Sequence, residues 1–64
     1  MKLVVSKLEA QQMINTSSEN MLRLLEKGEI PAYKTGRNWK IPVKCLEDYV
    51  IAKALEETRG RIEG

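Results

Sequence analysis

The chain has 64 residues, 42% hydrophobic and 31% charged, so it fits one small domain whose core is near the lower limit for independent folding. It has no histidine and a single cysteine, Cys45, which excludes an intrachain disulfide and the usual zinc, haem and Cys/His nucleophile sites. No apolar run is long enough to cross a membrane, and a single cysteine is typical of a reduced, cytoplasmic protein. Because the chain has no histidine and is too short for a deep substrate pocket, we expect no enzymatic activity and no metal site.

Basic residues are unevenly distributed along the chain. The net charge is only +2, but six lysines and arginines between Arg23 and Lys44 stand against two acids, Glu26 and Glu29. From Cys45 onward the acids outnumber the bases. The middle of the chain is therefore a basic region and a candidate surface for a negatively charged partner.

The N-terminal residues predict an extended run followed by a capped helix. Leu3-Val4-Val5 is apolar and expected to be extended. SKLE, residues 6–9, fits a capping box, in which the Ser6 hydroxyl accepts from the amide of Glu9 and the Glu9 carboxylate reaches back. We expect a helix over residues 7–14, with an apolar face made of Leu8, Ala10, Met13 and Ile14.

A second helix is predicted over residues 18–27. Asn15 tolerates the left-handed conformation that ends a helix, Ser17 suits the next N-cap, and Gly28 is a C-terminal stop. Two short helices joined by about three residues match a helix-turn-helix. The expected apolar face of this helix is Met21, Leu22, Leu24 and Leu25.

The stretch PAYKTGRNWKIP, residues 31–42, predicts a β-hairpin. If residues 36–38 form a three-residue loop, one strand face carries the aromatic residues toward the core and the other carries lysines outward. The predicted cross-strand pairs are Tyr33 with Ile41, Lys34 with Lys40, and Thr35 with Trp39.

A third helix is predicted from Val43 to about Thr58, and residues 59–64 are expected to form a flexible tail. The domain then spans residues 1–58. The predicted fold class is α+β, mainly α: a winged helix-turn-helix with two N-terminal helices, a two-stranded wing and a C-terminal helix. The expected packing side of the third helix is Leu46, Tyr49, Val50, Ala54 and Leu55.

The residues alone leave two interpretations of the basic region open. In the first interpretation, Asn and Arg on the second helix hydrogen-bond adenine and guanine of DNA. In the second, Glu19 and Arg23 form an i,i+4 ion pair on a helix face that is exposed only to solvent. Wing lysines neutralise phosphate in one interpretation and protect an exposed edge strand in the other. Tyr33 and Trp39 are either stacking platforms for bases or core residues, and their scarcity favours the core.

A long motif favours the first interpretation. SKLEAQQMINTS supplies the first helix and turn, and LLEKGEIPAYKTGRNWKIPVKCLEDYV supplies a helix ending in Gly, a Pro-Ala-Tyr strand, a basic Gly-Arg turn and Trp-Lys-Ile-Pro. By this order of residues, the segment 6–50 resembles the excisionase-type DNA-binding domain of the MerR superfamily. Two positions depart from the family pattern: Gln11 replaces a small buried residue, and Thr16 replaces an apolar turn residue.

The resemblance implies that the second helix enters a major groove of double-stranded DNA and that the wing tip contacts the neighbouring minor groove and backbone. It implies sequence-specific binding, without a cofactor, by an excisionase that bends DNA, assists an integrase and self-associates side by side. A small promoter-binding regulator is the alternative, and a protein-interaction module that docks a recombinase is a third. The implied DNA-binding residues are Ser18, Glu19, Asn20, Arg23 and Lys27 in the helix, and Lys34, Arg37, Asn38 and Lys40 in the wing.

Overall fold

A computed structural model describes residues 2–63 and the side chains of residues 2–62. Met1 and Gly64, which belong to the predicted domain and tail, lie outside the described residues. The predicted fold class, a mainly helical α+β chain compatible with a winged helix-turn-helix, is confirmed. The elements are β1 (Val4–Val5), α1 (Lys7–Met13), α2 (Ser18–Glu26), β2 (Tyr33–Thr35), β3 (Asn38–Pro42) and α3 (Val43–Glu63).

The predicted capping box begins α1. The Ser6 hydroxyl accepts from the Glu9 N–H at 3.2 Å, and the Ser6 N–H donates to the Glu9 carboxylate at 3.2 Å. The Lys2 ammonium hydrogen-bonds the same carboxylate at 2.7 Å and, together with the Ser6 amide, lowers the pKa of Glu9. This ionised cap stabilises α1 at pH values above the unfolded-state pKa and is lost as the pH falls through the lowered one.

Both N-terminal helices end in a Schellman motif, as their sequences indicate. Asn15 follows α1 with φ 53°, and Gly28 follows α2 with φ 76°. Asparagine and glycine adopt this left-handed conformation at the least cost, and it lets backbone N–H groups reach back to the last helical carbonyls. The long closing bonds run from Thr16 to Gln11 at 2.9 Å and from Glu29 to Leu24 at 3.0 Å.

The sheet has three antiparallel strands in the order β1-β3-β2. The N-terminal apolar run is extended as predicted, and it also pairs with β3, with Val5 opposite Ile41. The Val43 N–H donates to the Leu3 carbonyl at 3.0 Å, which ties the start of α3 to the same strand. The wing, residues 33–42, is therefore anchored at its base by a third strand.

The register of the wing differs from the predicted one. Its loop has two residues, Gly36 and Arg37, and the pairs are Tyr33 with Lys40, Lys34 with Trp39, and Thr35 with Asn38. Gly36 has φ 65°, the conformation that glycine supplies at the first central position of a type II′ turn. The predicted three-residue loop and the Lys34–Lys40 pair are both wrong.

The change of register moves Tyr33 out of the core. Because opposite residues share a face, Tyr33 lies with Lys40 and is 54% exposed, whereas Trp39 shares the core face with Ile41. The prediction treated lysine as purely polar. A lysine stem can cover an aromatic ring while its ammonium stays in water, so Lys34 beside Trp39 is a stable pair.

The core joins both N-terminal helices, the sheet and the first turns of α3. Several expected core residues are outside it: Met13 is 54% exposed, Leu8 60% and Leu22 38%. Ile30, between α2 and the wing, is buried, although its sequence position gave no periodic signal. The buried residues are Val5, Ala10, Met21, Leu24, Leu25, Ile30, Ile41 and Leu46.

Helix α3 is longer than predicted and extends past the core. It continues to Glu63, past the predicted end near Thr58. Leu46 is buried and Tyr49 is half-buried, but every side chain from 50 to 62 is exposed, including the expected packing residues Val50 and Leu55. The molecule is accordingly elongated, with principal extents of 44 × 26 × 18 Å.

Replacing Ile41 with alanine tests the central position of β3. Ile41 is fully buried, and its truncation is expected to cost about 2–5 kcal/mol. A domain of this size has a total stability of only about 3–10 kcal/mol, so Ile41→Ala should be partly or wholly unfolded. Urea unfolding followed by circular dichroism measures the loss.

Ile51→Ala is the matched control for that measurement. Ile51 is 57% exposed on α3, and we expect its truncation to change the free energy of unfolding by less than about 0.5 kcal/mol. Equal effects of the two substitutions would contradict the packing described for β3.

Candidate nucleic-acid interface

The N-terminal turn of α2 places the candidate helix residues. Ser17 is the N-cap, and its hydroxyl accepts from the Asn20 N–H at 3.1 Å. The apolar face of the helix packs inward through Met21, Leu24 and Leu25, which leaves the other face to solvent. On that outer face Asn20 is half-buried, and the exposed residues are Ser18, Glu19, Arg23 and Lys27.

A chain of hydrogen bonds orients Arg23. The Asn20 side-chain amide donates to the Thr16 hydroxyl at 2.7 Å, and the Asn20 side-chain oxygen accepts from the Arg23 guanidinium. The Glu19–Arg23 pair expected of a solvated face is absent from the ion pairs within residues 2–63. Thr16, a departure from the family pattern, is thus the first member of a chain that positions Arg23 through a neutral residue.

A second chain joins α1 to α2. The Lys7 ammonium donates to the Ser18 hydroxyl at 2.6 Å and to the Gln11 side-chain oxygen at 3.1 Å. Gln11, the other departure from the family pattern, holds Lys7 from one turn along α1. Sequence reasoning missed Lys7 because nothing in the order of residues shows where the start of α1 meets the start of α2.

The wing presents its basic side chains in different directions. Arg37 is exposed at the tip of the turn beside Gly36, and Asn38 follows it at the start of β3. The Lys34 ammonium lies 4.9 Å from the centre of the Trp39 ring, a cation–π distance. Arg37, Lys34 and Asn38 are all exposed, so the structure keeps them available as the resemblance implies.

Lys40 is separated from the other wing cations. Since it neighbours Trp39 along β3, it lies on the sheet face opposite to Lys34. It is half-buried and lines a depression shared with Lys2, Ser6 and Glu9. The structure therefore does not bring Lys34 and Lys40 together, and Lys40 shares its depression with the Glu9 carboxylate.

The distribution of ion pairs separates the candidate surface from the rest of the molecule. Among the described side chains there are two ion pairs, Lys2–Glu9 at 2.7 Å and Lys44–Asp48 at 3.7 Å. Neither pair includes a residue of α2 or of the wing. The cations of α2 and the wing therefore keep their charge available for an external anion.

A family model described as a helix-turn-helix domain matches residues 9–54, which is most of the chain. The chain belongs to the helix-turn-helix domain family. Searches of the curated proteins and of the solved structures found no significant match.

Family membership supports a general role in DNA binding. In helix-turn-helix domains as a class, the second helix reads DNA and the first crosses the backbone. The match begins within α1, at Glu9, and includes all of α2 and the wing. None of the helices between residues 2 and 63 is sufficiently long and apolar to cross a membrane.

The observed register predicts a specific effect of removing Lys34. Because its side chain covers Trp39, Lys34→Ala should shift the tryptophan emission to longer wavelength and destabilise the domain by about 0.5–1 kcal/mol. The chain has one tryptophan, so emission reports this ring alone.

Lys53→Ala serves as the control, since Lys53 is exposed on α3 and should leave the emission unchanged. If Lys34→Ala instead stabilised the domain without altering the emission, the Lys34–Lys40 register would be correct and the observed one wrong.

Proposed function

We propose that this helix-turn-helix domain binds double-stranded DNA at a preferred sequence, with α2 in the major groove and the wing against the adjacent backbone and minor groove. The observation that carries the proposal is the charge distribution. Arg23 hydrogen-bonds an amide oxygen and Lys34 lies over an aromatic ring, while the ion pairs of the described side chains lie elsewhere. Such cations bind phosphate and base edges without first breaking an internal salt bridge.

Sequence preference is assigned to the first turns of α2. A guanidinium that donates two hydrogen bonds distinguishes guanine from the other bases in the major groove. The Thr16–Asn20–Arg23 chain holds that guanidinium in place before binding, which lowers the conformational entropy lost on binding. Ser18 and Glu19 are exposed beside it, and Glu19 is suited to accept from a cytosine amino group.

Affinity for any duplex is assigned to Lys27 and to the wing. Arg37 at the exposed turn, with Lys34 and Asn38 beside it, suits contact with backbone phosphates and the minor groove. Each cation that neutralises a phosphate releases counterions, so this part of the affinity falls with salt concentration. Lys40 is half-buried in a depression that Glu9 also lines, so among the wing cations it is the least exposed and we assign it a smaller share.

The proposed biological role is that of an excisionase, which binds side by side on DNA, bends it and helps an integrase to assemble. The support is the residue order LLEKGEIPAYKTGRNWKIPVKCLEDYV, which follows the excisionase-type pattern through helix, wing and closing helix. This role requires binding and bending, and the chain itself performs no chemical step.

The exposed half of α3 supports a protein contact in that role. The exposed fractions of Ile51, Leu55 and Ile62 are 57%, 62% and 80%. Met13 of α1 lines the same surface depression as Ile51. An integrase would be the protein that covers these side chains. A promoter-binding regulator, the alternative role, needs DNA binding but not this contact.

Selection of bound sites from a random duplex pool, followed by an excision assay, tests the role. Repeated direct half-sites would support side-by-side assembly, whereas inverted half-sites would indicate a symmetric dimer. Leu55→Lys should keep its affinity for the selected duplex and lose integrase-dependent excision. Wild-type binding that bends no DNA and promotes no excision would favour the regulator.

Arg23→Ala and Arg37→Ala separate the two kinds of DNA contact. Arg23→Ala should lower discrimination at one base position by about 1–3 kcal/mol, because it removes a base contact. Arg37→Ala should weaken binding to all duplexes alike and lower the salt slope by about one, because it removes a phosphate contact. Gel shifts over a salt series, on selected and scrambled duplexes, measure both effects.

Lys53→Ala, on the exposed part of α3, is the control and should change neither quantity. The wing assignment would be wrong if Arg37→Ala bound every duplex with wild-type affinity and wild-type salt slope.

A further inference from the structure

We propose that Lys7, on α1, belongs to the DNA-facing surface and binds a backbone phosphate of the duplex beside the first turn of α2. The inference rests on the proposed DNA-binding function and adds a residue outside the recognition helix and the wing. Its ligand is a phosphodiester group, so the contact contributes to affinity and not to sequence preference.

The Lys7 ammonium group lies between α1 and the start of α2. Lys7 is half-buried, and its Nζ lies 2.6 Å from the hydroxyl of Ser18 and 3.1 Å from the side-chain oxygen of Gln11. Ser18 is the first residue of α2. A positive charge from α1 is therefore held at the end of the recognition helix by two side chains from different helices.

The two groups that accept hydrogen bonds from Lys7 carry no charge. Both acceptors are neutral, so they satisfy two of the three N–H donors of Lys7 without neutralising its charge. Lys2 differs, because its ammonium is bonded to the Glu9 carboxylate at 2.7 Å. The charge of Lys2 is therefore paired with a carboxylate, whereas Lys7 bonds neutral oxygens and can still bind an anion.

A backbone phosphate is the ligand that fits this position. With α2 in the major groove, the first helix crosses the backbone, which places phosphates near the helix junction. A phosphate oxygen accepts the remaining N–H of Lys7 in a charge-assisted hydrogen bond, stronger than the bonds to neutral oxygens. The Ser18 hydroxyl accepts from Lys7, so its own O–H is free to donate to the same phosphate.

Salt-dependent binding to duplex DNA tests the proposal, with four chains compared: wild type, Lys7→Gln, Lys7→Arg and Lys2→Gln. Glutamine keeps a donor for Ser18 but removes the charge. Lys7→Gln should lower affinity for selected and scrambled duplexes by the same factor, roughly three- to tenfold at low salt, and lower the salt slope by about one. Lys7→Arg should restore the slope, and Lys2→Gln should leave it at the wild-type value.

A measurement on the wild-type chain gives the same answer without a substitution. Acetylation of lysines, read by mass spectrometry, should slow at Lys7 when the selected duplex is bound and stay unchanged at Lys2. This result stands even if Lys7→Gln fails to fold.

The outcomes separate this inference from the proposed function. If wild type binds duplex but Lys7→Gln keeps the wild-type salt slope, with or without a loss of affinity, Lys7 has at most a structural role and the inference is overturned. Unprotected Lys7 in the bound wild-type chain overturns it as well. If wild type binds no duplex at low salt, the proposed function itself fails.

Discussion

The burial of Ile41 in the middle strand is the constraint on which the rest of the fold depends. That strand, β3, contacts β1, β2, α1 and α3, and so it joins the four elements. Ile41 is fully buried opposite Val5, and its neighbour Trp39 lies on the same face under Lys34. The wing is therefore an extension of the core, which gives Arg37 at its tip a fixed direction relative to the helices.

The cations of the proposed DNA-binding surface are held by neutral partners and not by internal salt bridges. Thr16 and Asn20 hold Arg23, Gln11 and Ser18 hold Lys7, and an aromatic ring holds Lys34. Neutral partners fix a side chain at little electrostatic cost to later phosphate binding. Where carboxylates do pair with lysine, at Glu9 and Asp48, the lysine lies outside the proposed interface.

Local features of the fold could be predicted from the sequence because their physics is local. The Ser6 and Ser17 caps and the Asn15 and Gly28 helix ends depend on residues within one turn, and all four are where the sequence indicates. The order of two helices, a wing and a closing helix, which the resemblance implies, is also the order in the structure.

Features that depend on tertiary geometry could not be predicted in the same way. The wing register required a choice between loops of two and three residues, and the polar classification of Lys34 favoured the wrong one. The periodicity of α3 predicted that Leu55 packs against the core. Because α3 extends beyond the last core residue that it contacts, Leu55 is exposed. The Lys7–Ser18 contact joins two helices whose crossing no sequence pattern shows.

The proposed function requires that α2 and the wing tip bind one duplex together. Amide chemical-shift mapping of the labelled chain, titrated with a duplex selected from a random pool, tests it most directly. We expect large shifts at Ser18, Arg23 and Arg37, and unchanged shifts at Ile51 and Leu55 on the exposed part of α3. Shifts confined to α3, with α2 and the wing tip unaffected at saturation, would contradict it.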